Sequence, residues 1–372
     1  MIPVMRPLMG EEEAQAAAEA VRSGWVAQGP RVRAFEEAFA SRVGAEHGVA
    51  VSSCTTALHL ALHLLDVGPG DEVVVPSLSF IATANAVRYC GATPVFADVS
   101  AETGNLTAET VSAVVTSRTR AVVLVHQGGV PADVKSFESL GLPIVEDAAC
   151  AAGSTYHGSP VGSGATLAAW SFHPRKLLTT GEGGMLTVDS EAVAVRARRL
   201  REHGMSVSAA DRHSGGGVVL EEYLETAFNY RMTDIQAAVG LVQLGRLDAI
   251  IARRRELAAR YHSLLARIPG LRAVSDPSHG TTNYQSFWVE LPQDCPVERN
   301  EVLNRLAAKG VSARRGIMAS HLEPAYAGHP HVPLPVTERL TSRTLILPLF
   351  HELTADEQDQ VVDALELACD AR

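Results

Sequence analysis

The chain has 372 residues, 46 % of them hydrophobic and 20 % charged, the balance of a globular protein long enough for two domains. A formal charge of −10 argues against nucleic acid or an anionic membrane as the main partner. No apolar run approaches the ~20 residues needed to cross a bilayer, the start MIPVMRPLMGEEEAQ lacks a leader pattern, and the five cysteines (54, 90, 150, 295, 369) show neither metal spacing nor a disulfide framework. A cytoplasmic enzyme without structural metal is expected.

Residues 11–23 (EEEAQAAAEAVRS) read as a helix whose acidic start suits its dipole. A loop over Gly24–Pro30 carries Trp25, and a second helix from about Val32 sets Phe35, Phe39 and Val43 on one face. The middle then alternates. VAVSS leads into a helix at Cys54–Leu65, and DEVVVPS into one near Ile81–Tyr89. TPVFADV, RAVVLVH, LPIVEDA, TLAAWSF and GGMLTVD follow. Continuous apolar runs ending in a polar residue suit strands buried on both faces, and alternation with helices indicates a mostly parallel α/β sheet. Residues 203–228, with Gly215–Gly217, read as a loop. A long helix is expected from about Thr233 to Leu265, broken near Gly245. It divides the chain into a large domain, residues 1–245, and a smaller C-terminal α+β domain, residues 246–372.

Of 32 basic residues only Lys135, Lys176 and Lys309 are lysine. Where arginine supplies the positive charge, a retained lysine points to a deprotonatable amine. Lys135 and Lys309 read as solvated helix-end charges. Lys176 instead follows the run Leu167–Phe172 and precedes the turn TTGEGG. Three more features share this α/β region. Ser52-Ser53-Cys54-Thr55-Thr56 opens a helix after a strand, where free N–H groups and hydroxyls bind phosphate. Phe80 follows Val73–Val75 and can stack on a flat ring. Asp147 closes the strand Pro143–Glu146, at the carboxyl end where ligands of open α/β sheets bind. With Ser171 and Lys176 these supply a phosphate cradle, a ring platform, a pyridinium partner and an amine, the groups that pyridoxal 5′-phosphate (PLP) requires.

The chain also resembles the DegT/StrS family of PLP-dependent sugar aminotransferases, of fold type I. The resemblance is carried by SGWVAQGPRVRAFEEAFA, SSCTTALHLAL, PGDEVVVPSLSFIATANAV, VEDAACAAGSTY, SFHPRKLLTTGEGGM, FNYRMTDIQAAVGLVQL and LPLFHELTADEQDQVV. It implies that Lys176 forms a Schiff base with PLP and moves the proton. It implies that Asp147 pairs with the ring nitrogen, Phe80 covers the ring, and Cys54, Thr55 and Ser171 hold the phosphate. Asn229 would reach the phosphate of a partner subunit in a homodimer with shared active sites. Cys150 stands where many members carry Gln or His at the ring hydroxyl, and His126–Val130 departs from the usual stretch. Trp25, Tyr230, Arg231 and His321 are candidates for touching substrate.

The implied reaction moves an amino group from glutamate or glutamine to a keto sugar, nucleotide-linked, through PLP and its pyridoxamine form (PMP). A cyclitol aminotransferase is the alternative. A sugar dehydratase is disfavoured by lysine at position 176, and a non-catalytic regulator by the complete PLP set and the negative charge.

Overall fold

The computed structural model describes residues 1–208 and 220–370, so Gly215–Gly217 of the expected loop lie outside the described residues. The first helices are α1 (Glu11–Arg22) and α2 (Pro30–Val43). Pro30 at the first helical position and left-handed Gly44 at the end delimit α2. Strand and helix then alternate: β1 (His47–Val51), α3 (Cys54–Leu64), β2 (Glu72–Pro76), α4 (Ala82–Tyr89), β3 (Thr93–Ala97), α5 (Ala108–Ser112), β4 (Thr119–Val125) and β5 (Ile144–Asp147). The short β6 (Thr155–Tyr156) and β7 (Ser159–Pro160) precede β8 (Leu167–Ser171), β9 (Gly184–Val188) and α6 (Glu191–Leu200).

Seven of these strands form one sheet in the order β1-β9-β8-β5-β4-β2-β3. Only β9 runs against its neighbours. Helices cover both faces, which is why the strands are apolar along their length. On one face Leu58, Leu60 and Leu62 of α3 are buried among the strand side chains. On the other, Phe39 meets Trp170 at 5.2 Å and Phe172 at 5.1 Å, both edge to face. Each such pair adds about 0.5–1.5 kcal/mol beyond area burial.

The helix α7 (Asp234–Leu265) starts in a capping box between Thr233 and Gln236. It is unbroken, contrary to the expected break at Gly245. One glycine costs about 1 kcal/mol relative to alanine, and packing on both sides of that position exceeds this. Ala237, Leu247 and Ile250 lie in the core with Phe35 and Phe39, whereas Leu257, Ala258, Tyr261 and Leu265 lie in a second core. Gly240 has a clear reason: a Cβ there would stand 2.8 Å from Phe35. By length and composition α7 is long and apolar enough to cross a bilayer, yet it serves here as the core helix common to both hydrophobic clusters.

The second core is built on β10 (Arg272–Ala273), β12 (Phe287–Glu290), β13 (Arg314–Arg315) and β14 (Thr344–Leu347), an antiparallel sheet of order β10-β12-β14-β13. Packed with it are α8 (Arg299–Ala308) and α10 (Ala355–Cys369), while α9 (Pro335–Arg343) precedes β14. A third sheet joins β11 (Gly280–Thr281) to β6 and β7. The N-terminal segment adds to the antiparallel unit through a bridge from Ile2 to Val311.

Candidate active site

The parallel sheet directs several chain ends toward one cavity of about 490 Å3. Its walls include Cys54, Thr55, Phe80, Asp147, Cys150, Ser171 and Lys176, so seven of the sequence candidates converge.

The start of α3 is held in place by reciprocal bonds between Ser53 and Thr56: Thr56 N–H donates to Ser53 Oγ at 3.2 Å, and Ser53 N–H to Thr56 Oγ1 at 3.1 Å. The N–H groups of Cys54 and Thr55 have no acceptor within the helix by its geometry, and these residues line the cavity. Strand β9 can pass beside this turn only because residue 184 is glycine; a Cβ there would collide with the Ser53 carbonyl.

Asp147 ends β5 with its side chain buried. Thr83 on α4 donates to Oδ2 at 2.9 Å, and the Ala149 N–H donates to Oδ1 at 3.2 Å. Burial raises the carboxyl pKa, and the Thr83 bond, Lys176, the Ala149 bond and His126 only partly oppose this. Thr83 is a contributor that the sequence did not reveal. In ATANAV it looks like any helix-surface residue. Behind Asp147, the His126 N–H donates to the Asp147 carbonyl at 3.1 Å. The Ala132 N–H donates to His126 Nδ1 at 3.0 Å, so the ring proton lies on Nε2, facing Glu146 Oε2 at 3.0 Å. In the unusual 126–130 stretch, Gln127 and Gly128 line the cavity. Gly129 is required there, because a Cβ would strike the Asn283 side chain.

Lys176 Nζ donates to Cys150 Sγ at 3.1 Å. Burial alone pushes the amine's pKa down; the Cys150 thiol, Cys54 and Asp147 outweigh it, and the net direction is up. Burial, aided by Asp147, raises the Cys54 thiol well above its ordinary value, which keeps it neutral. Phe80 is 64 % exposed at the cavity, so one face of its ring is open to a ligand there.

The remaining candidates lie outside this cavity. Asn229 is exposed, its main chain bridged to Glu202. Tyr230 stacks on Phe228 at 4.8 Å and bonds His59 Nδ1 through its hydroxyl at 2.8 Å. Arg231 is half-buried, with its main chain bridged to Val51. Trp25 lies against Gly29. His321 is buried behind the Phe80 loop, its Nδ1 2.6 Å from Ser77 Oγ.

Other cavity residues passed unnoticed in the sequence: Arg175, Arg254, Arg314 and Arg315. Arg254, on α7, is buried and donates to three main-chain carbonyls: Tyr284 at 2.7 Å, Leu349 at 2.9 Å and Gln285 at 2.8 Å. Burial pushes its pKa down to about 9.

Residues 7–366 match the DegT/DnrJ/EryC1/StrS aminotransferase family. The chain belongs to this family. Solved structures agree with the assignment. The aminotransferase TlmJ from Streptoalloteichus hindustanus is 38 % identical, with a TM-score of 0.90 over 99 % of this chain and 98 % of that one. DesI, solved in the presence of its TDP-sugar product, is 35 % identical, with a TM-score of 0.89 over 99 % and 93 %. The putative sugar aminotransferase Spr1654 from Streptococcus pneumoniae, in its PMP form, is 27 % identical, with a TM-score of 0.93 over 99 % of both chains; its PLP form has also been solved.

As a DegT/DnrJ/EryC1/StrS aminotransferase the protein is a PLP-dependent enzyme of fold type I. The cavity fits that cofactor. It offers helix-start N–H groups for a phosphate, an uncovered aromatic face for a ring, a buried carboxylate for a ring nitrogen, and a primary amine. Among the described residues no cluster of three His, Cys, Asp or Glu side chains is arranged to hold a metal.

Proposed function

We propose that this aminotransferase carries the amino group of glutamate or glutamine to a nucleotide-linked keto sugar, with Lys176 as covalent anchor and proton carrier. The observation that carries the reading is the placing of the Lys176 amine and the buried Asp147 carboxylate in one cavity at the carboxyl ends of β5 and β8. PLP, when bound, supplies an electron sink for the pair left when the donor's α-proton departs.

The protein's own groups do the rest. Asp147 holds the proton on the ring nitrogen, because a buried carboxylate oriented by Thr83 and Ala149 favours a cationic partner. Cys54 and Thr55, through their N–H groups, and Ser171 grip the phosphate. Phe80 covers one ring face, and Cys150 lies beside the amine. Lys176 Nζ, once the donor's amine has replaced it as the nitrogen bonded to the cofactor, would be free as a neutral base to take the proton from the donor's α-carbon and return it on the cofactor side. Asn229, exposed in its own chain, serves the phosphate of a second subunit, so the working form is a homodimer with shared sites. The nucleotide is supported by the TDP-sugar product of DesI. A cytoplasmic location belongs to the same reading and accords with five free cysteines.

The test is a panel of keto nucleotide-sugars and keto cyclitols with each donor, read for ping-pong kinetics. In parallel, PLP-loaded protein is reduced with borohydride and mapped by mass spectrometry. The cofactor mass is expected on the Lys176 peptide, and Lys176→Ala should abolish both label and turnover. Label on the exposed Lys135 or Lys309 refutes the assignment.

A further inference from the structure

The transfer of an amino group leaves the Cys150 thiol without a task, yet its Sγ is the atom to which Lys176 Nζ donates, at 3.1 Å. Both residues are half-buried and line the same cavity, so a small solute can reach them. Their main chains are fixed independently. The Cys150 carbonyl accepts from Asn283 Nδ2 at 2.8 Å, and the Lys176 N–H donates to the His173 carbonyl at 2.9 Å. The contact is therefore built into the fold, and the flexible lysine stem can close the remaining gap.

A thiol reacts with a peroxide as its thiolate, and three of the five cysteines are poorly suited to that. Burial, aided by Asp147, holds the Cys54 thiol well above its ordinary value, although Cys54 shares the cavity. Burial pushes Cys90 up to about 11, and burial with Cys295 beside it pushes Cys369 up to about 12. Cys295 packs against the second core, where its Sγ donates to the Val297 carbonyl at 3.4 Å. Among the described residues, Cys150 is the cysteine whose sulfur meets a primary amine.

We propose that Cys150 and Lys176 are a modification site that acts as a reversible lock: in the cofactor-free protein a hydroperoxide joins Cys150 Sγ to Lys176 Nζ by a sulfur–nitrogen bond. The thiol sulfur takes one peroxide oxygen, the O–O bond breaks, and the other oxygen leaves as water with the thiol's proton, giving a sulfenic acid. The amine, in its neutral form, then attacks the sulfur. The S–O bond breaks, and the departing hydroxide takes the amine's proton as a second water. One hydrogen peroxide is reduced, while the thiol and amine together lose two hydrogens with their electrons. A dithiol reverses the change by reducing the bond and becoming a disulfide. While linked, Lys176 has no amine to offer PLP; a Lys176 already engaged with PLP is shielded in turn. This consequence rests on Lys176 as the anchor proposed above, whereas the bond does not.

The experiment exposes full-length protein, with and without prior removal of PLP, to hydrogen peroxide. The protein is then digested without reduction and mapped by mass spectrometry, and PLP uptake is read in parallel by fluorescence titration. The cofactor-free protein should yield a linked pair of peptides, one holding Cys150 and the other Lys176, lighter than their sum by two hydrogens and separated by dithiothreitol. PLP uptake should fall in proportion to the linked fraction and return on reduction, and PLP-loaded protein should resist. Cys150→Ser and Cys150→Ala should keep their PLP uptake through the same treatment, while Cys54→Ser should still form the link. The proposal is overturned by a map in which Cys150 is joined to Cys54, or is oxidised or untouched with Lys176 unlinked. It is overturned too if the Cys150 variants lose uptake as wild type does. A link that leaves PLP uptake intact overturns the lock and Lys176 as anchor together; no link, with the borohydride label still on Lys176, overturns the lock alone.

Discussion

Thr83→Val is the perturbation that most directly tests how Asp147 is held. Valine keeps the shape of threonine and removes one hydroxyl, at a side chain that is 1 % exposed. Two hydrogen bonds go: Thr83 Oγ1 to Asp147 Oδ2 at 2.9 Å, and that between the Ser79 and Thr83 hydroxyls at 2.8 Å. A bond to a charged acceptor is worth about 1.5–3 kcal/mol and a neutral one about 1, so the cofactor-free protein should lose about 2.5–4 kcal/mol near neutral pH. The carboxyl pKa is already raised by burial. For an acid so raised, the folded state is favoured below the ordinary carboxyl value of 3.8, and that advantage is lost as pH rises through the folded pKa. Removing the hydroxyl raises the pKa further and widens the loss at neutral pH. The destabilisation should therefore shrink toward the neutral-bond part as pH falls below the carboxyl range. Urea unfolding at matched protein concentration, near neutral and in mild acid, measures this. Thr83→Ser, which restores the hydroxyl, should recover most of the stability. A valine cost that is equal at both pH values, or below about 0.5 kcal/mol, refutes a bond to an ionised Asp147.

Two further outcomes follow from exposure and from the placing of Asn229. Phe80→Ala should leave stability within about 0.5 kcal/mol, because the ring is 64 % exposed. It should weaken PLP binding about 3–10-fold by fluorescence titration, and unchanged affinity with lost stability would assign Phe80 to the core. Lys176→Ala mixed with Asn229→Ala, once mass spectrometry verifies subunit exchange, should regain about a quarter of wild-type activity. This holds at limiting PLP, where Asn229→Ala alone is nearly inactive; verified hybrids no more active than their parents would remove Asn229 from the partner's site.

The strands of the large sheet were legible because they are buried on both faces and therefore write continuous apolar runs, as Val73–Val75 and Val122–Leu124 do. The convergence of Cys54, Phe80, Asp147 and Lys176 was legible because an open α/β sheet presents its ligand at strand ends, wherever those ends lie in sequence. Other features resisted. Thr83 bonds a residue 64 positions away, and nothing local marks it. The strands β10, β11 and β13 are two residues long, too short for any alternation to register. Gly245 carried a local helix-breaking signal that tertiary packing overrode. Arg175 and Arg314 carried no local signal, and only the fold brings both to the cavity wall.

The clamp made by Arg254 has a consequence for how this pocket is held together. It grips the main chain at positions 284, 285 and 349, and every residue type carries that carbonyl. The grip itself thus does not depend on which side chains those segments carry. Gln285 and Leu349 both line the cavity; Leu349 is fixed by its place in the second core and Gln285 by its bonds to the Arg175 carbonyl and Ser286, so exchange there costs packing or hydrogen bonds even though the main chain stays gripped. One guanidinium on α7 thus ties two separate segments of the pocket wall together, alongside the Leu349 N–H bond to the Val4 carbonyl and the Ser286 N–H bond to the Gly128 carbonyl.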